Sequence, residues 1–493
     1  MIFSSSVFLF WFLPWVLLLV WVVPQRLRNL LLTVCSYLFY GWANPAFVLL
    51  MLASTVVDFC CGLMLVSGRK VQEDGQYPAL SPQVHRSRRQ RLLLFCSVSV
   101  NLGVLGFFKY WNFGIEVWQQ LLLQVSGTAV DVTGVLRVAL PLGISFYTFQ
   151  SMSYCIDIYR GQARATRSFV DFACFVSLFP QLVAGPILKY RDLSEQLRTR
   201  RVSLLSIGTG AAFFTLGLAR KVLLANPCGE ASDLVFAAEA PGFGAAWIGT
   251  VFFAMQIYFD FSGYSDMARG LGLMLGFEFP ANFRSPYRAE SLTDFWRRWH
   301  ITLSGWLRDY VYIPLGGNRR GALRTSVNLG MVMLLGGLWH GAAWNFLLWG
   351  AVHGAALIAE RVLNLSVLTR GLCSLLPAWL IRWIRRTLVF LFICFTWVLF
   401  RCGSTAEIGV MLGAMTGFRD AGPAAEILWT VLLQPWFVGV FSVAAAVLWL
   451  APESEEFLQR ITLVRAAWVL LLLPLTVCMM SAQTRNPFIY FLF

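Results

Sequence analysis

Charge is what this chain has least of. Only 13% of its 493 residues are Asp, Glu, Lys or Arg, against 58% hydrophobic ones. Soluble globular domains carry roughly a quarter of their residues charged, so a soluble fold is excluded. Residues 325–359, TSVNLGMVMLLGGLWHGAAWNFLLWGAVHGAALIA, contain none of the four types. An uncharged apolar run of about 18 residues already predicts a membrane span. Histidine is scarce too, yet two of the chain's four, His340 and His353, fall inside this run. Desolvating an ionisable side chain within a bilayer is costly, so its presence there points to a function. A helix starting at Arg324 carries His340 about 24 Å along at 1.5 Å per residue. The run is too long for one untilted crossing of a ~30 Å core. Gly336, Gly337, Gly341 and Gly350 offer breaks, because glycine weakens helices and lets backbones approach. His340 is therefore expected within the membrane beside irregular backbone.

Other absences narrow the reading. No basic residue precedes Arg26, so the first apolar run lacks the positive flank of a cleavable signal peptide. Its positives follow it, which favours an outside N-terminus. The eleven cysteines, Cys60 and Cys61 adjacent among them, form no CxxC and lie mostly in apolar segments. They read as small buried hydrophobes. His340 and His353 do not match the i,i+4 spacing of a helical zinc site, so no metal is expected. No internal repeat is visible, which disfavours transporters built from repeats. The longest polar interval, 67–91, is too short to fold alone, so residues 1–493 read as one integral membrane domain.

What the chain does have is about a dozen apolar segments, enough for roughly ten to twelve crossings. Its net charge of +14 is concentrated between them. Arg69, Lys70, Arg86, Arg88, Arg89 and Arg91 crowd one loop, where His85 reads as merely solvated. Arg284, Arg288, Arg297, Arg298, Arg308, Arg319, Arg320 and Arg324 make the richest group. Such loops mark cytoplasmic faces under the positive-inside rule, and no nucleic-acid partner is needed to explain them. The last group also suits an anionic, phosphate-bearing ligand.

Two apolar segments are interrupted. Phe179–Pro186 holds two prolines and a glycine, and Gly263, Gly270, Gly272 and Gly276 follow Asp260. Both are expected to be re-entrant and to line a cavity, where non-helical backbone is tolerated. In 291–308, SLTDFWRRWHITLSGWLR, Ser291 and Asp294 fit a helix start. Leu292, Phe295, Trp296, Trp299, Leu303, Trp306 and Leu307 then predict one apolar stripe on an interfacial helix. His300 falls at its margin, and its plain alternative is a hydrogen bond to a neighbour at the lipid boundary.

These segments resemble the membrane-bound O-acyltransferase family. FWRRWHITLSGWLRDYVYIPLGGNRRG at 295–321 and GGLWHGAAWNFLLWGAVHG at 336–354 are similar to its bacterial branch of alginate O-acetyltransferase type. LPLGISFYTFQSMSYCIDIYRG at 140–161, FPQLVAGPILKYRDL at 179–193 and YFDFSGYSDMARGLGLMLGFEFPANF at 258–283 resemble it too. So do the opening MIFSSSVFLF and the closing NPFIYFLF. The likeness covers nearly the whole chain, with the core motifs in 140–354. It implies an all-α polytopic fold, a ring of transmembrane, re-entrant and interfacial helices around a central funnel or tunnel. It also implies that His340, in the WHG element, is catalytic and that His300, in the WRRWH element, is its companion.

The implied reaction moves an acetyl group from a thioester to a hydroxyl. Histidine's ordinary pKa near 6.5 leaves it mostly free at neutral pH to take the hydroxyl proton. The oxyanion needs a donor, for which protonated His300, Asn345 and a backbone N–H near Gly341 are open choices. With acetyl-CoA as donor substrate and no bound cofactor, Arg297, Arg298, Arg319 and Arg320 are the expected phosphate partners. Trp339, Asp260, Ser262, Tyr264, Ser265 and Asp266 are expected to line the cavity, though Asp260 could instead anchor a turn. His353 reads as a helix-packing residue. The family branch implies a bacterial inner-membrane enzyme that passes acetyl groups to a periplasmic acetyltransferase or acyl-relay protein. The final acceptor would be an exopolysaccharide such as alginate or cellulose, and the oligomeric state stays open. Alternatives are D-alanyl transfer toward teichoic acid from a carrier-protein thioester, and an acetyl channel in which His340 relays protons.

Overall fold

A computed structural model of the chain describes residues 1–72, 76–127, 137–363, 376–459 and 462–483. The closing NPFIYFLF lies outside them. The described residues form helices and no strand, with one isolated bridge between Gln76 and Thr166. Among the described residues six helices are long and apolar enough to cross a membrane, seven if the bent pair Ala425–Leu432 with Pro435–Leu450 counts as one span. Several other apolar segments expected to cross form shorter helices, such as Phe8–Val22. The protein is an all-α polytopic membrane protein. It divides into two compact units, Met1–Ala211 with Ala268–Phe279, and Ala212–Met267 with Pro280–Phe493.

In the first unit the buried Asp58 carboxylate accepts from Ser97 Oγ at 2.5 Å and Asn101 Nδ2 at 2.7 Å. These bonds replace the water the carboxylate loses, and they tie Ala46–Leu65 to the 39-residue helix Arg88–Ser126. The Phe179–Pro186 interruption is real. A single turn, Phe179–Leu182, follows the helix Phe169–Ser177, and all of it is buried. The Phe179 N–H donates to Ser36 Oγ at 3.0 Å, a bond that ties this turn to the helix Arg28–Gly41.

The second interruption is not a break. Phe243–Met274 is one helix of 32 residues, about 48 Å long at 1.5 Å per residue. Gly263 sits inside it because another glycine faces it. A side chain at Gly217 would strike the Gly263 carbonyl, and one at Gly263 the Gly217 carbonyl. Small residues let two helices cross with their backbones nearly touching. Ion pairs flank the crossing in the second unit: Lys221 Nζ–Asp260 Oδ1 at 2.8 Å and Arg220 Nη1–Asp266 Oδ2 at 2.7 Å. Both basic residues belong to a π-bulge, Arg220–Ala225, which turns two consecutive cations onto one partner helix. Only Gly276, at φ +85°, ends the run in the left-handed conformation that glycine tolerates.

The uncharged run folds as a helical hairpin. Gly321–His340 ends at the histidine, residues 341–343 are non-helical, and Trp344–Val362 returns. Of the four glycines proposed as breaks, only Gly341 is at one. Gly337 and Gly350 instead let the helices close: a side chain at either would meet the Phe346 or Met333 carbonyl across the hairpin.

Candidate active site

His340 is the last residue of its helix, and a reason lies in Gly341. That residue's φ of −158° is ordinary extended backbone, but a Cβ there would overlap the Phe346 ring. The chain therefore leaves the helix at His340 and is pinned by Phe346 before it turns back. The expectation of a histidine beside irregular backbone holds.

His300 is presented by a sharper device. The stripe over 291–308 is not one helix. Ser291 caps Leu292–Arg298 by accepting from the Asp294 N–H at 3.0 Å, as its spacing predicted. Trp299 then turns extended, and His300 takes φ 44°, ψ 54°, before Ile301–Leu307 resumes. A left-handed non-glycine residue costs on the order of 1–3 kcal/mol and persists only where its surroundings hold it. Here the segment 282–284 holds it. The Ile301 N–H donates to the Asn282 carbonyl at 2.9 Å, and the Arg284 N–H to the Arg298 carbonyl at 3.0 Å. The Asn282 side chain accepts from Thr302 N–H at 3.2 Å and Thr302 Oγ1–H at 3.0 Å, and lies 3.1 Å from His300 Nδ1.

The two histidine rings stand 6.4 Å apart, centroid to centroid. Trp339 touches both, at 5.6 Å from His300 and 5.1 Å from His340. Phe261 meets His300 edge-on at 4.7 Å, while Trp349 and Phe400 approach His340 at 5.4 and 5.2 Å. His300 is 1% exposed and His340 8%. The result is a pair of imidazoles in an aromatic wall. Such a site excludes bulk water and strengthens electrostatic contacts within it.

The remaining predicted residues divide. Asn345 donates to the Cys402 carbonyl at 2.9 Å, so its amide joins the start of one helix to the end of Ala378–Arg401. Its Oδ1 is buried with no hydrogen-bond partner among the described residues. Asp260 is 1% exposed and anchors no turn, since it lies mid-helix in its pair with Lys221. Ser262, Tyr264 and Ser265 are each 2% exposed on the same helix, and Phe261, just before them, reaches His300. Asp266 binds Arg220 and accepts from Ser454 Oγ at 2.6 Å. Arg297, Arg319 and Arg320 are exposed, while Arg298 is half-buried and paired with Asp294 at 2.8 Å. His353 is a packing residue in its contacts. Its Nε2 lies 3.0 Å from Thr396 Oγ1, and Trp296, Trp349 and Phe392 surround its ring.

Asn282, Phe261, Trp349 and Phe400 were not singled out from sequence. Trp349 and Phe261 stand inside quoted motifs, and an aromatic filter on those motifs would have found them. Asn282 is 18 positions from His300, and no local periodicity connects them.

Residues 160–401 match the family described as MBOAT, membrane-bound O-acyltransferase family. A protein of Azotobacter vinelandii named "Probable alginate O-acetylase AlgI" is 40% identical over 527 aligned positions, covering 100% of each chain. One of the same name from Pseudomonas syringae pv. tomato is 45% identical, over 85% of this chain and 76% of its own. The peptidoglycan O-acetyltransferase of Helicobacter pylori is 34% identical, over 85% of this chain and 80% of its own.

Proposed function

The chain belongs to the membrane-bound O-acyltransferase family and is a membrane O-acetyltransferase, and from that premise we propose that it exports acetyl groups for exopolysaccharide O-acetylation. In this reading it lies in the bacterial inner membrane. Acetyl-CoA is the cytoplasmic donor, a periplasmic acetyltransferase or relay protein takes the acetyl group, and alginate or a similar polymer is the final acceptor. The alginate O-acetylase relatives, similar over 100% and 85% of this chain, support a polysaccharide acceptor. The observation that carries the chemistry is the His340–Trp339–His300 cluster, two buried imidazoles 6.4 Å apart that both pack against one indole.

His340 is the general base. It takes the proton of the attacking hydroxyl as the new C–O bond forms at the thioester carbonyl. The C–S bond then breaks, and the thiolate leaves as CoA, protonated by the imidazolium or solvent. His300, whose ring centroid is 6.4 Å from that of His340, assists it as a second protonic group. Arg297, Arg319 and Arg320, all exposed, receive the CoA phosphates.

The test is a donor comparison in inside-out membrane vesicles, with radiolabelled acetyl-CoA in one arm and a D-alanyl-charged carrier protein in the other. The proposal expects label from acetyl-CoA to appear in alginate or a periplasmic protein added to the lumen. Transfer only from the charged carrier would replace it with D-alanyl transfer.

A further inference from the structure

We infer that Asn282 is a positioning residue that fixes the tautomer of His300, placing the proton on Nδ1 and leaving Nε2 as the ring's basic nitrogen. Imidazole nitrogens cannot be told apart by shape, so the assignment rests on what surrounds Nδ1. That partner is the Asn282 side-chain amide, 3.1 Å away. An amide presents either an acceptor oxygen or a donor NH2, and its two orientations look alike. The backbone decides between them here. The Thr302 N–H points at the same amide atom from 3.2 Å, and a backbone N–H can only donate. The atom is therefore the oxygen. Thr302 Oγ1–H, 3.0 Å from it, donates as well. An oxygen facing Nδ1 at hydrogen-bond distance requires a proton on Nδ1, because two lone pairs would otherwise meet. A neutral imidazole then carries its lone pair on Nε2.

The arrangement keeps this orientation at a cost. Asn282 Nδ2 is buried with no hydrogen-bond partner among the described residues, and such a donor is expensive to leave unmade. Turning the amide over would set its NH2 against the Thr302 N–H, so the same network that holds the left-handed turn also holds the tautomer. Asn282 thus joins two functions in one side chain: its carbonyl and Oδ1 fix the backbone at 300–302, and Oδ1 fixes the proton on the ring. The catalytic consequence rests on the proposed acetyl transfer. Neutral His300 accepts at Nε2 and donates there only after it has taken up a proton, as a group that receives and returns protons must.

The test is nitrogen-15 NMR of histidine-labelled protein in nanodiscs, with the His300 signals identified by their loss in His300→Gln. Wild type should give the Nδ1–H pattern for His300. Asn282→Asp, which retains an acceptor oxygen, should keep that pattern. Asn282→Leu, which has none, should lose it. In the acetyl-transfer assay kcat should fall about 10²-fold or more in Asn282→Leu with KM for acetyl-CoA little changed, and recover to within about tenfold of wild type in Asn282→Asp. An Nε2–H tautomer in the wild-type protein would overturn the inference, whatever the variants do. Retention of Nδ1–H in a folded Asn282→Leu protein would also overturn it. The spectra need no substrate, so a protein that proves inactive with acetyl-CoA leaves this result standing and removes only the proposed donor.

Discussion

Trp339 packs against both histidines of the candidate site. Its indole touches both imidazoles, so Trp339→Ala should lower acetyl transfer at least about tenfold while Trp339→Phe, which keeps a ring, retains most of it. Initial rates with saturating acetyl-CoA measure this directly. His300→Ala should impair transfer strongly without abolishing it, because a second protonic group assists rather than replaces the base. On the proposed reading the exposed arginines bind the donor, so Arg319→Ala with Arg320→Ala should raise KM for acetyl-CoA several-fold to about tenfold with little change in kcat. Both histidines that the structure brings together, His300 and His340, were singled out in the sequence. His340 was an ionisable group in an uncharged run, and the surrounding words were long enough to resemble one family. Asn282 was not legible, because it reaches His300 only through a left-handed turn that no hydrophobic period encodes.

At the scale of the element, glycine explains both what was read correctly and what was not. In an apolar run a glycine signals either a break or a close crossing, and only the partner helix decides which. Gly341 is at a break because Phe346 occupies the space of a side chain. Gly337 and Gly350 serve the hairpin, and Gly263 serves the crossing with Gly217. The stripe over 291–308 was equally ambiguous. Its 3.6-residue spacing survives in the two short helices, but the strained residue between them is invisible to periodicity. Asp260, expected near a turn, is instead half of a buried ion pair at the helix crossing. Asp260→Ala should therefore destabilise the protein by about 3–5 kcal/mol by removing one half of a buried ion pair, and adding Lys221→Met should recover much of that loss. Thermal unfolding in detergent measures both. Equal destabilisation in the single and double variants would show that the pair does not act as one.

For the whole molecule, composition established the class and the helices, while the number of spans required the structure. Several apolar segments became helices too short to cross alone, and length is what separates a span from a buried or re-entrant piece. The basic clusters orient the chain, so a reporter inserted between Pro82 and Arg86 should face the cytoplasm. The central claim is that this membrane protein performs acyl transfer chemistry at His340. It is tested most directly with purified wild type and His340→Gln in nanodiscs, following CoA release from radiolabelled acetyl-CoA with a periplasmic acceptor present. Wild type should release CoA and transfer label, and a folded, membrane-inserted His340→Gln protein should lose at least about 10²-fold of that activity. Full activity in that variant would contradict it.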